Sequence, residues 1–215
     1  MSGQPTAFDS NDLVNGIDVS HNNANIDWTT VAADGIAFAF TKATEGKNFQ
    51  DPQFNANYAA MKANSIIRGA YHFFRPSADA KAQAENLLEM VHALEAGDLP
   101  PALDVEVNDN QTPSAIISGI QLWLDVVGAA LKCKPIIYTS ASFWNANLNG
   151  TAQFAEHPLW VAHYTSKPQP NIPMGFSRYT IWQFSEQGVV KGIKGNVDLD
   201  RFNGSLDQLR TLAGF

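Results

Sequence analysis

At 215 residues the chain has room for one domain or two, and a single closed α/β barrel fits that length. With 45% hydrophobic and only 16% charged residues it can fill a large core, which argues against disorder. A formal charge of −7 excludes the basic footprint that nucleic acid requires, and any acidic polymer would have to be held by local contacts against the net field.

Cys133 is the only cysteine, so no intramolecular disulfide or Cys-based zinc site is expected, and it reads as a small packing residue near a helix end. The stretch Met1 to Asn11 is polar and lacks the apolar segment of a secretory signal; residues 1–12 read as a tail, and no membrane span is expected.

Leu13 to Ser20 reads as a first strand running into the polar turn His21-Asn22-Asn23, with Asp18 near its exit. Asp27 is placed to cap a short helix from Trp28 that Gly35 closes. Ile36 to Lys42 is a second buried strand, followed by a polar loop, Thr44 to Lys47. Asp51-Pro52 opens a helix through Phe54, Tyr58, Met61 and Lys62. Ile66 to Phe74 is the third strand. A helical stretch follows from Ser77 to Glu95, with Ala82, Leu87, Leu88, Val91 and Leu94 as its buried stripe and Gly97 at its end.

The fourth strand, Pro101-Ala102-Leu103-Asp104-Val105-Glu106-Val107, is the stretch on which the chemistry turns. Residues i and i+2 of a strand point to one side, so Asp104 and Glu106 share a face and Val105 takes the other. Two acids side by side at the end of a buried strand resist ionising together, so at least one pKa rises, as a proton donor working near neutral pH needs. A structural salt bridge or a helix cap is the competing reading. Thr112-Pro113 starts the next helix, through Ile116, Ile117, Ile120, Leu124 and Val127 to about Cys133. Pro135 to Ser140 is a fifth strand. Ser142 to His157 carries short helical turns at most. Pro158 to Tyr164, Tyr179 to Phe184 and Gly195 to Phe202 are the sixth, seventh and eighth strands, and a helix from Ser205 to Leu212 follows.

Strand–helix alternation implies parallel pairing with right-handed crossovers, and eight strands can close. The expected fold is therefore α/β, a single irregular TIM-like (β/α) barrel whose last strands lack full helices. In such barrels the chemistry sits at the carboxyl ends of the strands. That rule gathers Asp18, Asp104, Glu106 and Asp198 on one rim. Around them fall Tyr71, His72, Phe73, Tyr138, Trp160, His163, Tyr164, Trp182 and Gln183. Each aromatic residue alone reads as core; their shared position at strand ends makes them candidate platforms.

Carboxylates with a ring of aromatic side chains point to sugars, whose apolar faces stack on aromatic rings and whose glycosidic bonds are cut by carboxyl pairs. His21, His72 and His163 lie on separate segments and no His-Glu-x-x-His occurs, so no metal or other cofactor is expected. No Gly-x-Ser-x-Gly elbow supports a serine hydrolase. Gly192-Ile193-Lys194-Gly195 reads as a turn.

Six motifs occur in order: Gly16-Ile17-Asp18-Val19-Ser20, Tyr71-His72-Phe73, Ala102-Leu103-Asp104-Val105-Glu106, Trp160-Val161-Ala162-His163-Tyr164, Trp182-Gln183-Phe184 and Val197-Asp198-Leu199-Asp200. Together they make residues 16–202 resemble glycoside hydrolase family 25, the Chalaropsis-type lysozymes. The resemblance implies a catalytic barrel over residues 13–215 with an acidic groove. It implies N-acetylmuramidase activity on the β-1,4 bond from N-acetylmuramic acid to N-acetylglucosamine, with peptidoglycan glycan strands as partner, and action at the cell wall as a monomer. Without a visible leader, delivery would be by phage lysis, by a non-classical route, or after removal of a leader. By motif, Glu106 resembles the family's general acid/base and Asp104, Asp18 and Asp198 its other groove carboxylates; Tyr71, Phe73, Tyr138, Trp160, His163, Tyr164, Trp182 and Gln183 are the candidate substrate contacts. His163 departs from many relatives. Asp200 is assigned a salt bridge with Arg201 or a surface role.

For mechanism the acid pair favours substrate assistance. Side chains at i and i+2 lie on one side of a bound sugar, whereas an enzymatic nucleophile needs the opposite face. The competing version makes Asp18 or Asp198 a nucleophile or the base of an inverting reaction. Two other functions fit less well: a chitinase-like N-acetylglucosaminidase, whose longer Asp-x-x-Asp-x-Asp-x-Glu run is missing, and a non-catalytic wall-glycan-binding barrel.

Overall fold

A computed structural model describes residues 14–214; the expected tail over residues 1–12, and Leu13 of the first strand, lie outside the described residues. The chain runs β1 (Val14–Val19), a 3-10 turn (His21–Asn23), α1 (Trp28–Ala33), β2 (Phe38–Glu45), β3 (Phe49–Gln50), α2 (Phe54–Ala63), β4 (Ile67–Phe73) and α3 (Ala80–Met90). It continues with β5 (Ala102–Asp104), α4 (Pro113–Leu131), β6 (Ile136–Ser140), α5 (Ala141–Asn147), β7 (Leu159–Ala162), β8 (Ile181–Gly188), β9 (Val197–Phe202) and α6 (Leu206–Leu212). β2, β4, β5, β6, β7 and β8 stand side by side, β1 pairs β2, and β9 fills the gap between β8 and β1. The result is a closed ring of eight strands, with β3 folded antiparallel onto β2 outside it.

The first strands are parallel, as the strand–helix alternation demands. β9 is the exception: it runs antiparallel to both β1 and β8. No described helix separates β7, β8 and β9: the chain crosses from β7 to the parallel β8 through a loop, and from β8 it turns back directly into the antiparallel β9. Asp198, near the start of β9, thereby faces Asp18, near the end of β1, as a register partner. Reversal of this strand, not a carboxyl-end position on it, brings Asp198 to the rim.

Local chemistry sets the helix starts. Asp27 accepts a hydrogen bond from the Thr30 backbone N–H, Thr112 from that of Ala115 with Pro113 in the first turn, and Ser205 forms a capping box with Gln208. The helix expected from Ser77 to Glu95 is shorter, Ala80–Met90. Its tail is drawn into the sheet: Arg68 N donates to Gly97 O, Leu99 N to Arg68 O, and Asp98 accepts from Glu95 N. Pairing to β4 there outweighs the apolar spacing that Leu94 would have continued. The fourth strand is also shorter than expected, ending at Asp104, though Val105 N still donates to Tyr138 O before the chain turns away through Asp109 and Asn110 in left-handed conformations.

Three packed clusters hold the ring. Phe38, Phe40, Ile136, Tyr138, Trp160 and Ile181 fill the barrel, with Leu209 and Ala213 from the α6 end of the chain closing its floor. Outside, α3 and α4 bury Leu87, Ile116, Ile120 and Trp123 over Leu103, Val105 and Ile137, and α1 and α2 bury Trp28, Val31 and Met61 over Ile17, Val161 and Phe184. Among the described residues α4 is the one helix long and apolar enough, by length and composition only, to cross a bilayer. Here it buries a stripe from Ile116 to Leu131 against its neighbours. Cys133 packs half-buried on the same cluster, its thiol pushed up to about 11 by burial.

Candidate active site

Where the strands leave the barrel a cavity of about 310 Å³ opens, lined by Asp18, Asp104, Glu106 and Asp198. Strand alternation delivers them. Asp104, 7% exposed, is the last residue of β5, beside Phe73 of β4 and Tyr138 of β6, and Val105 turns into the outer core. Glu106 returns to the side of Asp104 but lies beyond the sheet and is exposed to the groove.

The electrostatics favour protonated acids. Burial raises Asp104 well above the usual carboxylate range, Glu106 adds to the rise and Lys42 opposes it. The surrounding walls also raise Glu106, again against Lys42. Asp104 Oδ1 is buried with no hydrogen-bond partner among the described residues. Across the cavity, burial and then the charges of Asp198 and Asp200 raise Asp18, while a 2.7 Å hydrogen bond from Gln183 Nε2 to its Oδ2 opposes the rise. Asp198 is raised to about 6, chiefly by burial.

Gln183 is the hub of the aromatic wall. Its Oε1 accepts from both Tyr138 and Tyr164 hydroxyls at 2.8 Å, and its amide holds Asp18. Trp160 forms part of the lining, stacked on Phe40 at 4.6 Å and edge-on to Tyr138 at 4.8 Å. Its Nε1 donates to Asp200 Oδ1 at 2.8 Å. Asp200 is thus neither on the surface nor placed for Arg201: it is fully buried and inward, while the Arg201 guanidinium lies over the Phe184 ring in the outer layer.

Tyr71, Phe73, Tyr138, Trp160, Tyr164 and Gln183 line the cavity as expected. Trp182, His163 and His72 do not. Trp182 packs with Phe184 in the outer core, its Nε1 donating to His163 O. His163 Nδ1 accepts from Asn171 N outside the cavity. His72 is sealed between Thr44 and Gln83 against Trp123, and burial pushes its imidazole down to about 4. Each alternates with a lining residue. Lys42, Ser20, Asn22 and Glu186 line the cavity unforeseen. The alternation from Phe38 and Phe40 points to Lys42; Glu186 follows a register shift in β8 that breaks the period.

A larger hollow of about 520 Å³ opens near Ile67 at the start of β4, the other end of the barrel, but its buried acid, Asp98, is tied to Arg68 Nε at 2.6 Å. Among the described residues, the rim of strand exits is where carboxyls with raised pKa meet an accessible cavity.

A barrel carrying such acids beside aromatic walls at its strand exits defines a glycoside hydrolase. The profile of the glycosyl hydrolases family 25 matches residues 17–193. Lysozyme M1 of Streptomyces globisporus is 41% identical over 212 residues, covering 93% of this chain and 71% of that protein. An N,O-diacetylmuramidase of Arthroderma benhamiae is 32% identical over 209 residues, 93% and 86% of the two chains. The crystal structure of a bacterial lysozyme from Streptomyces coelicolor superposes with a TM-score of 0.91 at 37% identity, over 95% of this chain and 98% of that one. The chain belongs to glycosyl hydrolase family 25.

Proposed function

We propose that the protein is an N-acetylmuramidase that cuts the β-1,4 bond from N-acetylmuramic acid to N-acetylglucosamine in peptidoglycan, with residues 13–215 as the catalytic unit. The observation that carries this reading is the acid pair of β5: Asp104 and Glu106 open together into one cavity, both biased toward the protonated state. Its substrate lies in the cell wall, where the protein acts as a monomer.

Glu106, at the open edge, donates its proton to the glycosidic oxygen as the bond breaks. The acetamido carbonyl oxygen of the −1 sugar attacks the anomeric carbon from the other face and forms an oxazolinium ion. Asp104 Oδ1 accepts the acetamido N–H, which supplies the partner this buried atom lacks and draws Asp104 toward its ionised form. Water then adds to the anomeric carbon while Glu106 takes back a proton, so configuration is retained. Tyr71, Phe73 and Trp160 offer faces to the sugars; Gln183, with Tyr138 and Tyr164, fixes Asp18. Asp198, raised only to about 6, stabilises positive charge at the anomeric centre, with Asp18 held against it.

Digestion of peptidoglycan followed by mass spectrometry of the reduced muropeptides is expected to give muramitol ends. Reduced N-acetylglucosamine ends would replace the muramidase reading with a glucosaminidase one, and binding without cleavage would leave a glycan-binding barrel. NMR of fresh product is expected to show the β-anomer first; an α-anomer makes Asp18 or Asp198 the base of an inverting reaction.

A further inference from the structure

The carboxylate cavity carries one cation that the reaction above does not use. Lys42, on β2, is the single Lys or Arg among the described lining residues, and only 13% of its side chain is exposed. Its Nζ donates to Glu45 Oε2 at 2.6 Å and stands 4.9 Å from the centre of the Phe73 ring and 5.6 Å from that of Phe49. Two aromatic faces and one carboxylate therefore hold the ammonium at the cavity edge. An ammonium has three N–H donors; among the described hydrogen bonds Glu45 takes one. Glu45 is itself shared, with Arg75 Nε 3.9 Å from its other oxygen.

Every other charged group lining the cavity is an acid: Asp18, Asp104, Glu106, Glu186 and Asp198. A neutral N-acetylglucosamine chain gives a cation nothing to read. A muramyl residue differs from N-acetylglucosamine by a lactyl ether on O-3. That arm ends in a carboxylate in a bare glycan and continues into a carboxylate-bearing peptide in the wall. The acids around it offer such an arm no opposite charge, and Lys42 is the one described lining group that can pair with it.

We infer that Lys42, seated on Phe73 and Phe49, binds the carboxylate of the O-3 arm, and so selects muramyl chains over plain N-acetylglucosamine chains. This rests on the muramidase reading and names the feature of its substrate that the site recognises. The carboxylate is either the lactyl group's own or one on the attached peptide.

The test compares the full chain with Lys42→Met and Lys42→Arg on three substrates: peptide-free glycan with free lactyl carboxylates, the same glycan with those carboxyls reduced to alcohols, and peptide-bearing glycan. For Lys42→Met the ratio of kcat/KM on carboxylate-bearing to reduced glycan is expected to fall about tenfold, mostly through KM, the loss of one charge-assisted contact. Lys42→Arg is expected to keep most of that ratio. A loss confined to the peptide-bearing glycan assigns the contact to the peptide carboxylate, and a loss on bare glycan to the lactyl group; both support the inference. Equal losses on all three substrates, with the alkaline limb of the pH–rate profile moved upward, would make Lys42 a tuner of the acids and overturn it. An unchanged ratio with no loss on the peptide-bearing glycan also overturns it. Should Lys42→Met not fold, Lys42→Gln reads the same ratio. Wild-type protein that cleaves chitin oligomers but no muramyl glycan sinks the muramidase reading itself, whereas wild-type cleavage of muramyl glycan with an indifferent Lys42 variant sinks only the inference.

Discussion

Glu106 and Asp104 sit two residues apart yet occupy different surroundings, and that difference divides their roles. Glu106 is exposed at the groove, so Glu106→Gln removes the proton donor without touching the core; activity on peptidoglycan should fall roughly 10²–10⁴-fold with an unchanged melting temperature. Near-normal turnover by that variant would end the assignment. Asp104 is buried with an unpartnered oxygen, so Asp104→Asn should lower kcat far more than it raises KM, because its contact to the acetamido group strengthens as that group attacks. A change in KM alone would make Asp104 a binding residue. At this scale the period of two in a strand carried most of the legible information. It placed Asp104 and Glu106 together, and, applied as strictly to Tyr71-His72-Phe73 and Ile181-Trp182-Gln183, it sets His72 and Trp182 on the outer face. Nearness to a strand end alone does not bring an aromatic residue into the groove; the face it takes on the strand decides.

Between elements, two glycines decide how the barrel is filled. Gly16 of β1 and Gly69 of β4 are register partners of Phe38 and Phe40 on β2, and a Cβ at either position would collide with the opposing ring. The missing side chains make room for both phenyl rings, and Trp160 rests on that of Phe40. Gly69→Ala should therefore cost about 1–3 kcal/mol in chemical denaturation and, through Phe40 and Trp160, disturb the cavity wall. A variant as stable as wild type would mean that the Phe40 ring moves freely. Register of this kind pairs residues far apart in the chain, Gly16 with Phe38 and Gly69 with Phe40, so neither glycine's packing role stood out in the sequence. The same holds for α3, whose last expected turn is given up because residues 97–99 pair with Arg68.

Across the whole molecule, burying acids costs stability once pH rises above their unfolded pKa. A carboxyl whose folded pKa is raised gives stability that is fully present below its unfolded value and is lost as pH rises through the folded one. For Asp198 that window runs from 3.8 to about 6. His72 works in the opposite sense: lowered from 6.5 to about 4 by burial, it favours the fold above 6.5 and withdraws that support as pH falls. The difference between wild type and Asp198→Asn isolates the acid. The variant should be more stable by on the order of 2 kcal/mol at pH 7.5, with the gain vanishing near pH 4, while losing activity. A gain independent of pH would trace it to packing. Such an exchange of stability for function is expected where a site keeps its acids in a dry wall.

The sequence alone determined the strand–helix alternation, hence the parallel barrel, and the one strand on which two acids share a face; both follow from local periodicity that adjacent residues impose on one another. It also carried six motifs whose common order made the family legible. Only the tertiary structure decided that the last strand reverses, that Asp200 supports Trp160 from inside, and that Lys42 stands at the edge of the acids. Those facts depend on which segments meet after closure, and closure joins residues that have no local reason to be neighbours: Asp18 meets Asp198 across 180 positions because the ring comes back to its first strand.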